Sequence, residues 1–193
     1  MAQEIEIEFK NLLTKTEYMQ LLEALDFPQI GIVQENYYFE TTAFDLKGQR
    51  AALRIRKKNN KYVLTLKEPH PEGLLETHDI LTEQEADSWL KGNPIAKEHT
   101  TKQLKKLQIN LQDLQLFGSL RTERRELIFK HVLLVLDYSE YSNQSDYELE
   151  LEAKSHSEGI IVFEELLNKY NIPKRKTPNK IERFFHSIGK SNH

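Results

Sequence analysis

The sequence contains no cysteine, which excludes disulfide bonds, thiolate metal sites and cysteine nucleophiles. It also lacks an excess of basic residues, since 27 lysines and arginines stand against 30 aspartates and glutamates, a formal net charge of −3. A general electrostatic attraction to nucleic acid is therefore not expected. The absence of cysteine fits a reducing compartment, so we predict a cytoplasmic protein. We also predict that it binds neither nucleic acid nor membranes.

Targeting segments and familiar nucleotide-binding motifs are also missing. Residues 1–6 have no basic region followed by an apolar run, so a secretory signal is not expected, and no run approaches the length of a membrane span. The sequence has no GxxxxGK, GxGxxG or HExxH string and no serine in a nucleophile elbow. His78 shares its alternation with Glu76 and could line the same cavity, but we favour a hydrogen-bonded surface imidazole.

What the sequence does contain is a set of alternating segments with segregated charge. Period-two alternation predicts β-strands, with apolar residues such as Ile5, Ile7 and Phe9 on one face and charged residues on the other. The charged faces hold Glu4, Glu6, Glu8 and Lys10 on the first strand, Arg50, Arg54, Arg56 and Lys58 on a middle strand, and Glu148, Glu150 and Glu152 on a late strand.

The remaining elements follow from turn and cap signals. Strands are predicted over 3–10, 34–40, 49–58, 61–67, 74–80, 120–129, 132–139 and 147–153. A loop or turn is predicted over 45–48 and a loop over 69–73, with hairpin turns at 59–60 and 130–131. Helices are predicted over 14–26, 82–91, 95–107, 110–116 and 157–170, and from a Thr177 cap with Pro178 at the first helical position through Phe185.

The charged faces suggest a common cavity. If the sheet curls with its charged faces inward and its apolar faces under the helices, carboxylates and cations line one lumen. Carboxylate oxygens suit Mg²⁺ or Mn²⁺, and arginine and lysine suit phosphate oxygens, so a metal–polyphosphate would meet both. An alternating strand is by itself more typical of a solvent-facing sheet, and the spacing alone leaves both interpretations open.

The segment Glu6–Lys10 matches the ExExK signature that opens the CYTH superfamily of triphosphate tunnel metalloenzymes. Further matching segments follow in the same order: Tyr37–Thr41, Leu53–Arg56, Leu64–Lys67, Glu76, Thr122–Arg124, Leu134–Asp137 and Tyr147–Glu152. The chain thus resembles this family over nearly its whole length, and most closely the uncharacterised CYTH proteins of Bacillus-like Firmicutes.

This resemblance implies an α+β fold in which an eight-stranded antiparallel β-barrel forms a tunnel with helices packed outside. It implies one domain over 1–193, with C-terminal helices over 157–188 packed on the barrel. It also implies three groups of site residues: metal ligands Glu6, Glu8, Glu148, Glu150 and Glu152; phosphate ligands Lys10, Arg54, Arg56, Lys67, Arg124 and Lys180; and catalytic Glu76, Asp137 and Lys67. Arg183 is a further cation on the closing helix.

One departure from the family pattern leaves a question open. Thr122 stands where tripolyphosphatases often have lysine, so which of Arg121, Arg124 and Arg125 faces inward is not decided by the sequence.

Three functions fit these residues. We favour a Mg²⁺- or Mn²⁺-dependent hydrolase of inorganic tripolyphosphate or a related organic triphosphate, because a charged lumen has little with which to recognise a base. The alternatives are an adenylyl cyclase that forms cyclic AMP from ATP and a non-catalytic triphosphate sensor. The predicted partner is a small-molecule triphosphate, and the oligomeric state is not predicted.

Overall fold

A computed structural model describes residues 2–141 and 144–190, with side chains described through residue 187. Its strands are β1 (Gln3–Leu13), β2 (Ile32–Glu40), β3 (Ala52–Lys58), β4 (Lys61–His70), β5 (Gly73–Leu81), β6 (Gln115–Phe129), β7 (Val132–Tyr141) and β8 (Gln144–Ala153). Its helices are α1 (Lys15–Ala24), α2 (Asp45–Gly48), α3 (Glu83–Leu90), α4 (Glu98–Lys106), α5 (His156–Lys169) and α6 (Lys180–Lys190).

The eight strands form a closed antiparallel barrel, and the helices of the described residues pack around it. Neighbouring strands follow the order β1-β5-β4-β3-β2-β6-β7-β8. The predicted α+β barrel is therefore confirmed. None of the helices within 2–141 and 144–190 is both long and apolar enough to cross a membrane.

Contacts within the chain define two compact units, each with its own apolar core. The first unit comprises 1–5 and 34–119, and the second comprises 6–33 and 120–193. The predicted organisation as one domain is not tested by this division and stays a prediction.

In the first unit, the apolar faces of β3 and β4 lie under helices α3 and α4. Leu53 and Leu64 are fully buried and belong to one cluster with Trp89 of α3 and Leu104 of α4. Because successive side chains of a strand point to opposite faces, the residues next to each of these leucines in sequence must face away from the helices. The alternation thus fixes the direction of Arg54.

In the second unit, β7 and β8 pack against helices α1 and α5. Leu134 and Leu149 are fully buried in a cluster with Leu21 of α1 and Phe163 of α5. Helix α5 also lies against β1, so closely that a Cβ added at Gly159 would lie 2.4 Å from the Phe9 ring. The apolar faces are therefore covered, and the acidic faces point the other way.

Several local signals in the sequence are confirmed. Thr14 and Thr82 cap α1 and α3 in full capping boxes, each with a glutamate three residues later. Asn59 and Asn60 have φ values of 50° and 57°, which is the left-handed backbone that a two-residue hairpin turn requires. These signals are local, so they did not depend on the rest of the fold.

Two predictions around loops are wrong. A 3-10 turn over Leu111–Asp113 replaces the predicted helix over 110–116, because the Asn110 side chain caps only this turn and the chain then enters β6. The segment 45–48, predicted as a loop or turn, is the short helix α2, whose start is held by the Glu40 carboxylate. This carboxylate accepts hydrogen bonds from the backbone N–H groups of Leu46 and Lys47.

The start of the last helix was also predicted wrongly. Thr177 does not cap it, because its Oγ1 accepts a hydrogen bond from the backbone N–H of Leu12 at 2.9 Å. Helix α6 begins at Lys180, and the Asn179 carbonyl accepts from the backbone N–H of Arg183.

Arg50 does not belong to the charged face of β3. The strand begins only at Ala52, and Arg50 lies before it as an exposed residue with a φ of 56°. A left-handed residue breaks the alternation on which that prediction depended.

Candidate functional site

The acidic face of β8 lies beside charged residues of β1 and β7 in the second unit. On one side, Lys10 is paired with Glu150 and Glu8 with Glu152. On the other side, Asp137 is paired with Glu148. Strand pairing thus brings six predicted site residues onto adjoining strands, and alternation places Glu6 on the same face of β1 as Glu8.

Three of these carboxylates are buried and form the centre of the site. Asp137 and Glu148 have no exposed surface, and Glu150 is 8% exposed. Burial of a carboxylate is costly unless a cation or hydrogen bonds compensate it. We call Asp137, Glu148 and Glu150 the carboxylate cluster.

Helix α6 supplies Lys180 to the carboxylate cluster. Its Nζ lies 2.6 Å from Asp137 Oδ2, 2.6 Å from Glu150 Oε1 and 3.0 Å from Glu148 Oε2. One turn later, Arg183 donates to Glu148 and to Asp146, since residues three apart share a helix face. Both predicted cations of the closing helix are thus engaged by carboxylates.

Strand β6 supplies Arg124, and this answers the question that Thr122 left open. Arg124 donates from Nε and Nη2 to the two oxygens of Asp137, at 2.9 and 2.7 Å, and from Nη2 to Glu150 at 2.6 Å. Arg121 instead forms an exposed ion pair with Glu140. Arg125 donates to the backbone carbonyls of residues 28 and 29 and to the hydroxyl of residue 18.

The electrostatics of the cluster keep its members charged. Burial opposes ionisation of Asp137 and Glu150, but Arg124 and Lys180 outweigh it and lower both pKa values. Burial likewise opposes the charge of Lys180, and the three carboxylates nevertheless raise the pKa of its ammonium group. The site is therefore a compensated arrangement of ionised groups at neutral pH.

Lys10 connects β1 with the segment that precedes α6. Its ammonium group forms an ion pair with Glu8 and donates to the side-chain oxygen of Asn179 at 2.6 Å. These contacts hold Lys10 on the charged face of the second unit.

In the first unit, the predicted cations lie on one face of β3 and β4. Arg54 is paired with Thr65 and with Tyr38, and Arg56 donates from Nε to the Asn36 side chain at 2.8 Å. Lys67 is paired with Glu76 of β5, and their side chains form an ion pair. The structure thus places Arg54 and Arg56 on one face, as the alternation predicted, and it pairs Lys67 with Glu76, two residues that the family resemblance indicated.

His78 is a partly exposed and hydrogen-bonded imidazole, whose side chain is 23% exposed. Its Nδ1 lies 3.0 Å from Thr65 Oγ1, and its Nε2 lies 3.1 Å from Glu4 Oε1 and 3.3 Å from Glu76 Oε2. The parity that His78 shares with Glu76 was the signal for this position.

Asp146 is a residue that the sequence reasoning missed. It accepts from Arg183 and from the hydroxyl of Tyr141. The predicted strand began at Tyr147, whereas β8 begins at Gln144, so Asp146 precedes Glu148 on the same alternating face.

Comparison with protein families identifies the chain. A family model for the CYTH domain matches residues 4–185. The chain belongs to the CYTH family. This confirms the resemblance that the ExExK signature indicated, and the match includes every predicted site residue.

A CYTH relative is similar in sequence over nearly the full length of the chain. The Bacillus subtilis (strain 168) protein YjbK, provisionally named a triphosphatase, is 50% identical over 192 residues, which cover 99% of this chain and 100% of that protein.

Two solved structures have the same CYTH fold. A Bacillus halodurans structure, provisionally named an adenylate cyclase, is 40% identical with a TM-score of 0.93, covering 96% of this chain and 100% of that one. The Hippeastrum protein HpAC1 is provisionally classed as an adenylyl cyclase and is described as having a dominant triphosphatase activity. It is 25% identical with a TM-score of 0.78, covering 95% of this chain and 96% of that one.

Proposed function

We propose that this CYTH protein hydrolyses a triphosphate, with Mg²⁺ or Mn²⁺ as cofactor and inorganic tripolyphosphate as preferred substrate. The observation that carries the proposal is the carboxylate cluster, in which buried carboxylates and two partly buried cations form one ionised network. The triphosphatase name of the relative that is 50% identical and the activity of the Hippeastrum protein support the same reaction.

The residues present fit a divalent cation. Mg²⁺ and Mn²⁺ prefer carboxylate oxygens, and Glu8, Glu148, Glu150 and Glu152 offer such oxygens on the adjoining strands β1 and β8. The cluster already holds the ammonium group of Lys180 among three carboxylates, so this arrangement accommodates positive charge. A bound cation would polarise a phosphoryl oxygen and make a coordinated water a better nucleophile.

The protein's own cations would stabilise the charge of the phosphate. Arg124 and Lys180 are ionised beside the cluster, and both residue types bind phosphate oxygens through charge-assisted hydrogen bonds. Donors fixed before the reaction stabilise charge that develops in the transition state without needing to reorganise. In the first unit, we propose that Arg54, Arg56 and Lys67 bind phosphate oxygens and that Glu76 orients Lys67.

The surroundings of the charged faces favour recognition of charge over recognition of a base. Phe39 packs edge-on against Trp89, with ring centroids 5.0 Å apart, and Tyr37 packs against the same apolar core. Of residues 37–39, only Tyr38 lies on the face of Arg54, and it is 3% exposed. A cyclase must also place adenine and ribose, which requires a shaped slot, whereas a hydrolase requires a placed water.

The predicted products follow from this preference. We expect orthophosphate and pyrophosphate from tripolyphosphate and little cyclic AMP from ATP, because tripolyphosphate carries charge along its whole length. Chromatography of the products formed from tripolyphosphate, ATP and thiamine triphosphate, each with Mg²⁺ and with Mn²⁺, measures this. Cyclic AMP as the main product from ATP would establish the cyclase alternative, and tight binding without turnover of any of the three would establish the sensor.

Location and organisation remain predictions. We propose that residues 1–193 act as one domain in the cytoplasm, a location that the lack of cysteine supports. The composition also supports a small-molecule substrate over a nucleic-acid partner, because the net charge is −3.

A further inference from the structure

We propose that Glu4, Glu76 and His78 form a binding site for a first-row transition metal ion such as Zn²⁺ in the first unit. One ligand atom of each residue lies within 4.8 Å of the others. These three residues are different from the proposed Mg²⁺ or Mn²⁺ ligands of the second unit. The proposal does not rest on the triphosphatase function, because metal binding can be measured without substrate.

The backbone places these ligands together. The N–H of His78 donates to the carbonyl of Ala2 at 2.8 Å, and the Gln3 side chain donates to Thr77 Oγ1 at 2.9 Å. These hydrogen bonds hold the start of β1 beside β5, so Glu4 lies next to His78. Glu76 precedes His78 by two residues on β5 and therefore shares its face.

Neighbouring side chains orient two of the three ligands. Thr65 Oγ1 lies 3.0 Å from His78 Nδ1, and a hydroxyl can accept from this nitrogen as well as donate to it. When Nδ1–H donates to Thr65, the lone pair of Nε2 is left for a metal, the usual arrangement for a histidine ligand. Lys67 forms its ion pair with Glu76 Oε1, while Oε2 of the same carboxylate faces His78.

The spacing fits an ion between the ligand atoms. His78 Nε2 lies 3.1 Å from Glu4 Oε1 and 3.3 Å from Glu76 Oε2. Two ligand atoms that are each about 2.1 Å from a zinc ion can be separated by such distances. The Glu76 side chain is 7% exposed and that of Glu4 is 58% exposed, so an ion can enter from the side of Glu4.

The donor set determines which metal it prefers. An imidazole nitrogen suits Zn²⁺, Cu²⁺, Fe²⁺ and Ni²⁺, whereas Mg²⁺ and Mn²⁺ prefer oxygen atoms. The ion pair of Lys67 with Glu76 offsets part of the carboxylate charge. The imidazole nitrogen therefore contributes strongly to the preference for Zn²⁺ over Mg²⁺. We therefore expect Zn²⁺ to bind here in the presence of excess Mg²⁺.

Zn²⁺ affinity of the metal-stripped full-length protein tests the site. Competition with a chromophoric chelator in excess Mg²⁺ is expected to show binding that His78→Gln and Glu4→Gln each weaken by at least about 10-fold. Glu4→Gln guards against a folding defect, because the Glu4 side chain is largely exposed. His70→Gln is the matched control, since His70 lies on neighbouring β4 and accepts from the backbone N–H of Glu72.

A second readout separates this site from the carboxylate cluster. Pulsed electron paramagnetic resonance of the protein loaded with one equivalent of Cu²⁺, a first-row ion that binds imidazole well, should detect coupling to a histidine nitrogen. The coupling should persist in a Glu148→Gln/Glu150→Gln variant and disappear in His78→Gln. Nitrogen coupling that survives His78→Gln, or a wild type that shows none, would overturn the proposal, as would equal Zn²⁺ affinity in wild type and His78→Gln.

Discussion

Replacing Glu150 by glutamine is expected to lower the rate of phosphate release from tripolyphosphate by about 100-fold or more. Glu150 contacts Arg124 and Lys180 and lies in the acidic face proposed to hold the metal. Glutamine keeps the size of the side chain but removes its negative charge. Binding of the metal ion and the orientation of Arg124 and Lys180 are therefore weakened together. A 100-fold loss corresponds to about 2.7 kcal/mol of transition-state stabilisation.

The variant should nevertheless remain folded, because Asp137 and Glu148 still pair with Lys180. Glu164→Gln is the control, since Glu164 forms an exposed ion pair with Lys174 on the second unit. Initial rates and circular dichroism of both variants measure these effects. A Glu150→Gln protein with the wild-type rate would show that this carboxylate has no part in the reaction.

Replacing Asp137 by asparagine is expected to lower the free energy of unfolding by about 3 kcal/mol. Asp137 is fully buried and forms hydrogen bonds with both Arg124 and Lys180. Removal of one partner from a buried ion pair leaves an uncompensated charge, and such changes typically cost about 3–5 kcal/mol. Glu150 still pairs with both cations, which favours the lower end of this range.

The matched control for this change is Glu140→Gln on the same strand. Glu140 forms an ion pair with Arg121 in which both side chains are more than 40% exposed. Exposed pairs contribute at most about 1 kcal/mol, so the control should unfold at nearly the wild-type urea concentration. Equal unfolding midpoints for Asp137→Asn and Glu140→Gln would contradict the importance assigned to the buried network.

The stability difference between wild type and Asp137→Asn should depend on pH in one direction. Burial opposes the ionisation of Asp137, but Arg124 and Lys180 outweigh it, so its pKa is lower in the folded protein than in the unfolded chain. A lowered folded pKa contributes stability above the unfolded value of about 4, and this contribution is lost as the pH falls through the folded value. In EDTA, the stability difference between wild type and Asp137→Asn should therefore shrink below about pH 4.

The sequence predicted best what one strand or one turn determines. Alternation alone assigned Glu148 and Glu150 to a charged face, because side-chain direction within a strand depends only on parity. The capping box at Thr82 was equally readable, since all its hydrogen bonds lie within four residues. The closed eight-stranded barrel came from the resemblance to the family, whereas the order of strands and helices along the chain followed from alternation, turn and cap signals.

Features that depend on distant contacts could not be predicted in this way. Thr177 is held by the backbone of Leu12, which lies 165 residues away in sequence, and this contact prevents it from acting as a cap. The approach of Glu4 to His78 depends on which strand neighbours β1, and no single strand reveals that. Arg50 was misplaced because its left-handed backbone leaves no signal in the alternation.

Phosphate release from tripolyphosphate by metal-stripped protein, measured before and after addition of Mg²⁺ or Mn²⁺, tests the central claim most directly. The acidic faces of β1 and β8 and the ionised cations of the carboxylate cluster lead us to expect hydrolysis that is lost in EDTA. Addition of either cation should then restore it. Full turnover in EDTA, or no hydrolysis with either cation, would contradict a metal-dependent triphosphatase.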